Sequence, residues 1–233
     1  MSRSESTLAV PQVGLLALFV TALVTAQVTA AKVLAFDIPF AFPVAGDTLI
    51  LPGAALAYAL TFFASDCYAE LYGRRAAQVI VNVGFLMNFV LLALVWSTIA
   101  APIAPNSGIG QSQFASVLGS STGVVAGSLL AYIVSQNWDV VVFHRLREAT
   151  DGDALWLRNV ASTASSQLID TVIFVTVTFL LFQGLPLSLV LSLMVGQYVL
   201  KLLIALLDTP FVYLVVRAVP ERSGGVDSLS FGR

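Results

Sequence analysis

The chain has 233 residues, 58% of them hydrophobic and only 10% charged, with a mean hydropathy of +0.91. A soluble domain carries about 25% charged residues, so water is not this chain's main solvent, and a net charge of −2 offers no broad basic surface to nucleic acid. A single cysteine, Cys67, and a single histidine, His144, exclude an internal disulfide and argue against a cysteine or histidine metal centre.

Six apolar segments follow one another, at about 13–35, 48–72, 77–100, 117–143, 161–183 and 187–216, each of a length that can cross a bilayer core. The pieces between them are polar or rich in Pro and Gly: "FDIPFAFPVAGD", "YGRRAA", "APIAPNSGIGQSQ", "HRLREATDGDALWLRN" and "QGLP". The first segment exceeds the 7–15-residue core of a signal peptide, and further spans follow it, so a retained helix is expected. Arg3, Arg74, Arg75, Arg145, Arg147, Arg158, Arg217, Arg222 and Arg233 fall before span one or after spans two, four and six. The connections after spans one, three and five carry no Lys or Arg outside the apolar segments. Positive-inside bias then predicts an all-α bundle of six transmembrane helices with both termini cytoplasmic. Residues 1–12 and 218–233 are expected as cytoplasmic tails and 13–217 as the membrane domain.

The only lysines, Lys32 and Lys201, lie inside or at the end of apolar segments, as do Asp139, Asp170 and Asp208. Each such charge costs about 2.5–3.5 kcal/mol at mid-helix, against about 0.3–0.6 returned by a Leu or Val. Charges retained at that cost normally face a bundle interior or a wet cavity and mark pathways. A rise of ~1.5 Å per residue puts Asp170 about 18 Å beyond Arg158, Asp208 about 14 Å before Arg217 and Asp139 about 9 Å before Arg145. The lysines fall in the outer third.

Two of these acids belong to a duplication. "SQNWDVVVF" (135–143) and "SQLIDTVIF" (166–174) share Ser-Gln-x-x-Asp-x-Val-x-Phe. Gln136 and Asp139 lie on one helix face, as do Gln167 and Asp170. Glutamine offers donors and acceptors, while an ionised aspartate only accepts, so the four suit a ligand with adjacent N–H donors and carbonyl acceptors. Trp138 adds aromatic surface. An interhelical pairing such as Asp170 with Lys201 is the competing structural explanation.

Farther afield, Asp66, Glu70 and Arg74 recur at helical spacing and fit an interfacial salt bridge or a gate, and Gly73 fits a helix stop. Ala22, Ala26 and Ala30 on span one, and Gly119, Gly123 and Gly127 on span four, form small-residue stripes that let helices approach closely. A homodimer face among them is left open. Pro210 is expected to kink or break span six near Asp208. Phosphate loops, hydrolase triads and metal-ligand spacings are absent, so no cofactor is expected.

Four stretches resemble one family. They are "SDCYAELYGRRAA" with Asp66, Glu70, Tyr72 and Gly73; "SQNWDVVVFHRLRE" with Gln136 and Asp139; "LWLRNVASTASSQLIDTVIF" with Arg158, Ser162, Gln167 and Asp170; and "QYVLKLLIALLDTPFVYL" with Gln197, Lys201, Thr209 and Pro210. Together they resemble the queuosine precursor transporters, also called vitamin uptake transporter-like proteins, over about Thr25 to Val216, with departures at Gln27 and Cys67. The resemblance implies a six-helix inner-membrane importer of the 7-deazaguanines preQ0 and preQ1. On chemical grounds Gln136, Asp139, Gln167, Asp170 and Lys201 would hold such a base edge, with Trp138 stacking on it. Asp66, Glu70, Asp208 and Lys32 would gate or couple. The alternative is a substrate-binding component of an energy-coupling factor importer, docking its partner through the Ala22/Ala26/Ala30 stripe. An intramembrane enzyme using Asp139 and Asp170 as acid and base ranks far behind, without a nucleophile or metal to support it.

Overall fold

A computed structural model describes residues 10–150 and 155–219. Positions 1–9 and 220–233 of the expected tails lie outside the described residues. The elements run α1 (Val10–Thr29), β1 (Val33–Phe42), β2 (Gly46–Pro52), α2 (Ala55–Tyr72), α3 (Arg74–Ala100), α4 (Gln111–Gly119), α5 (Ser121–Ala149), α6 (Leu155–Val175), a π-helical segment (Thr176–Phe182) and α7 (Leu187–Ala218). Five stretches are long and apolar enough to cross a membrane: Val10–Thr29, Arg74–Ala100, Gln111–Ala149, Val160–Phe182 and Leu187–Ala218. The 18-residue α2, which carries Asp66 and Glu70, is not among them.

Side-chain contacts fix the helix directions. Gln12 Nε2 donates to Tyr68 Oη at 2.9 Å, Trp96 Nε1 to Thr122 Oγ1 at 2.9 Å and Trp138 Nε1 to Ser165 Oγ at 3.1 Å. Consecutive long helices are therefore antiparallel. Arg74 and Arg75, Arg145 and Arg147, and Arg217 gather at one end, called here the arginine end, and the β1–β2 hairpin marks the other. Gly73 makes the first turn at the arginine end with φ 89°, a conformation that a Cβ disfavours. Its N–H caps α2 by donating to the Ala69 carbonyl at 2.9 Å. The same turn puts Arg74 at the start of α3, so Asp66, Glu70 and Arg74 do not share one helix.

The hairpin corrects the expected span limits. Residues 33–35 and 48–52 are strand, not the ends of helices one and two. Register runs from Val33↔Pro52 to Asp37↔Thr48, is irregular between Asp37 and Phe42, and closes at Phe42↔Gly46. "VLAFDIPFAF" and "GDTLILP" combine β-branched and aromatic residues with a proline that α-helices exclude from their interiors. An isolated two-stranded hairpin is marginal, and this one leans on the bundle: Leu51 is buried, and Val33 and Ile50 pack on the core. Gly196 of α7 lies so close to the Ile50 carbonyl that no side chain fits there.

The core around Ala26, Ala30, Val124, Ala131, Phe174, Phe179 and Leu193 uses both small-residue stripes. Ala22, Ala26 and Ala30 are all buried within the chain, and so cannot present a docking surface. Gly123 faces Phe182, and Gly127 faces Thr178 and the Phe174 carbonyl. Thr178 Oγ1 donates across this seam to the Gly123 carbonyl at 3.3 Å. Helix α7 continues through Pro210, so the expected break is not there.

A Cβ at Gly127 would run into Thr178 Oγ1. Gly127→Ala should therefore destabilise the purified protein by about 1–3 kcal/mol, as overpacking does. Gly14→Ala, with nothing within 4 Å, should leave the melting temperature in detergent unchanged or slightly raised.

Candidate functional site

Two connected cavities occupy the bundle. The wider, about 460 Å³, starts among Asp66, Ala69 and Arg74 at the arginine end and passes Thr61, Ser65, Gln78, Ser135, Gln136 and Gln167. The smaller and deeper, about 100 Å³, is lined by Pro52, Ala54, Ser128, Phe174, Gln197 and Lys201 on the hairpin side. Tyr58, Phe85, Tyr132 and Asp170 line both, so the passage between them is three aromatic rings and one carboxylate. The wider volume lies within the ~300–1,000 Å³ of small-molecule sites.

At the junction Lys201 Nζ donates to Asp170 Oδ2. The two side chains are only 3% and 18% exposed. Isolated in an apolar interior, either charge would be prohibitively unfavourable; paired, each supplies the other's counter-ion. The ammonium also stands 5.5 Å from the centroid of the Tyr58 ring, within cation–π range. Tyr132 is held by α3: its hydroxyl accepts from Gln78 Nε2 at 2.8 Å and donates to Asn82 Oδ1 at 3.3 Å. Its ring stacks on Phe85 with centroids 4.2 Å apart. An aromatic platform thus stands beside the ion pair, with its orientation fixed by hydrogen bonds.

Two amides here lack partners. Gln167 lies one turn from Asp170 on α6, and Gln197 one turn from Lys201 on α7. The Oε1 of each is buried without a hydrogen bond, although such atoms nearly always have one.

The duplicated motif divides its work. Gln136, Gln167 and Asp170 line the cavities, whereas Asp139 and Trp138 line neither. Asp139 Oδ1 accepts from Ser166 Oγ at 3.3 Å, and the indole of Trp138, 44% exposed, bonds Ser165. Ser166 of the second copy and Ser165 just before it therefore tie down the first. Among the other expected groups, Asp66 lines the wider cavity and lies within hydrogen-bonding reach of Asp208. Glu70 and Lys32 are exposed and line neither cavity. The Lys32 carbonyl instead accepts from the Gly53 N–H at the hairpin base, at 2.6 Å.

Tyr58, Phe85 and Tyr132 escaped the sequence reading, and Gln197 entered it only within a family-like stretch, without a site role. Gln197 had a signal, since it precedes Lys201 by one turn. The aromatic residues had none that sets them apart from core.

The family model described as "Putative vitamin uptake transporter" matches residues 52–215. The chain belongs to the vitamin uptake transporter family. Its matched region opens at Pro52, on the rim of the deep pocket, and runs through every cavity-lining residue except those of α1. A curated relative from Bacillus subtilis (strain 168), "Probable queuosine precursor transporter", is 36% identical over 170 residues, or 71% of this chain and 72% of that protein. No solved structure matches. With its membrane-length apolar helices, this member of the vitamin uptake transporter family is a multi-pass protein of the plasma membrane.

Removing one partner of a buried ion pair costs about 3–5 kcal/mol, while replacing both by apolar groups is often neutral. Asp170→Leu and Lys201→Met should each lower thermal stability by that order, and the double variant should recover most of the loss. A double variant no more stable than either single one would show that the two side chains do not depend on each other.

Proposed function

We propose that this protein imports 7-deazaguanine precursors of queuosine, preQ0 or preQ1, by secondary or facilitated transport through the chamber between α2, α3, α5, α6 and α7. The observation that carries this reading is the junction: a fixed aromatic platform, an ion pair and unpartnered amides arranged around a space suited to one flat solute. The family assignment and the B. subtilis relative support the substrate class. In this reading α2 is a sixth span, although Asp66 and Glu70 lower its hydropathy. It packs on α1, α3 and α7, which lets it keep polar groups on the cavity side. Both termini then lie in the cytoplasm, and the wider cavity faces inward.

Within the chamber, Asp170 and Lys201 form the polar centre, and Gln136 and Gln167 guide the solute along the wider cavity. Phe85, Tyr132 and Tyr58 supply stacking, as aromatic residues do where bases are bound without reference to sequence. Trp138 and Asp139 support the site from outside the cavities. Asp66 on α2 and Asp208 on α7, acidic neighbours at the arginine end, form the coupling element. Glu70 and Arg74 edge that end of the path, and Lys32 stands at the base of the hairpin at the other end.

The alternative, a binding component of an energy-coupling factor importer, loses its expected docking stripe, because Ala22, Ala26 and Ala30 are buried inside the chain. Uptake decides between the two. Cells lacking their own deazaguanine synthesis and uptake should accumulate preQ0 or preQ1 when given this chain alone, without an ATPase module. The Asp170→Leu/Lys201→Met variant should reach the membrane in normal amount and transport less than about one-tenth as fast, since charge-assisted contacts are worth roughly 1.5–3 kcal/mol. Wild-type transport by that variant would reduce the ion pair to interhelical packing.

A further inference from the structure

Gln197 is 93% buried, with only 7% of its surface exposed. It lines the deep pocket, and its Oε1 has no hydrogen-bond partner. The nearest strong donor along its own helix is Lys201, one turn on, and that ammonium is engaged by Asp170. The amide oxygen is thus a buried acceptor without a partner among the described residues, on a side chain that lines the deep pocket.

The surroundings limit what can reach it. A solute entering from the wider cavity must pass Tyr58, Phe85, Tyr132 and Asp170, which line both spaces. The Phe85–Tyr132 stack is fixed through Gln78 and Asn82, so a flat ring can lie against it. The deep pocket, at about 100 Å³, has room for an edge or a small substituent and not for a second ring system. Behind it stands the hairpin, with Ile50 pressed on Gly196, the residue before Gln197.

We propose that Gln197 is the specificity-determining residue for an exocyclic amine on a planar bicyclic solute, its Oε1 accepting the amine N–H once the ring has stacked at the junction. The inference rests on the transport reading and adds a discriminating contact to it. A solute lacking that donor leaves the buried oxygen unmet, and sites built this way reject the analogue that lacks the group. Asp170 is less suited to the task, because Lys201 already occupies one of its oxygens.

The test is a titration of purified protein with 7-deazaguanine and with 7-deazahypoxanthine, which has the same ring without the amine. Wild type should bind the aminated compound about tenfold or more tightly, the scale of one buried hydrogen bond. Gln197→Leu should bring the two affinities within about threefold of each other. Gln197→Met, closer to glutamine in shape, carries the same expectation if the leucine variant does not fold. Gln197→Glu keeps an acceptor and should keep the preference. Equal binding by wild type, or a preference that survives in both apolar variants, overturns the role of Gln197 and leaves the transport reading standing. If wild type binds neither compound while remaining folded, the transport reading fails and this inference with it.

Discussion

An ammonium and a carboxylate in contact halfway along an apolar bundle dictate what can surround them. Lys201 and Asp170 each need the other because neither can be solvated by hydrocarbon. That need pins α7 to α6 at one level and forbids lipid on the inner faces of both. It also places polar neighbours there, since a pair at 3% and 18% exposure still has hydrogen-bonding positions to fill. Gln167, Gln197 and the Tyr58 ring occupy the adjoining turns. The cavity is a consequence of that arrangement, because polar side chains that converge from several helices do not interdigitate as Leu and Phe do.

The two ends of the bundle are closed by different means. Toward the hairpin, Ala26, Ala30 and Ala54 are buried, and the Gly196–Ile50 contact brings strand and helix backbones together. Such contacts leave little slack, because a close-packed seam has no partial arrangement between together and apart. Toward the arginine end the lining is Thr61, Ser65, Asp66, Gln78 and Gln136, side chains that water can satisfy. The hairpin end is held by close backbone contact, and the arginine end carries the larger share of polar side chains.

Composition and periodicity located the long helices well, because a membrane span is mostly a statement about apolar length. They failed where a different structure uses the same residues. Val33–Phe42 and Gly46–Pro52 are as apolar as helix ends, and a run of that kind does not distinguish strand from helix by periodicity. The cost of buried charge made Asp170 and Lys201 conspicuous, and both sit at the junction. The same argument singled out Asp139, which bonds Ser166 beside the chamber, since expense alone does not say which way a side chain points. Tyr58, Phe85 and Tyr132 were invisible for the opposite reason: an aromatic residue in an apolar helix costs nothing and so attracts no notice.

A single helix connects the two charged centres. Lys201 and Asp208 are seven residues apart on α7, roughly 10 Å along its axis, and on the same face. One meets Asp170 on α6 and the other meets Asp66 on α2. Both contacts lie on the unbroken stretch of α7 before Pro210. Gly196, which meets the hairpin, lies on the same helix five residues before Lys201. The seam at the hairpin, the ion pair at the junction and the acidic group at the arginine end are therefore spaced along one helix.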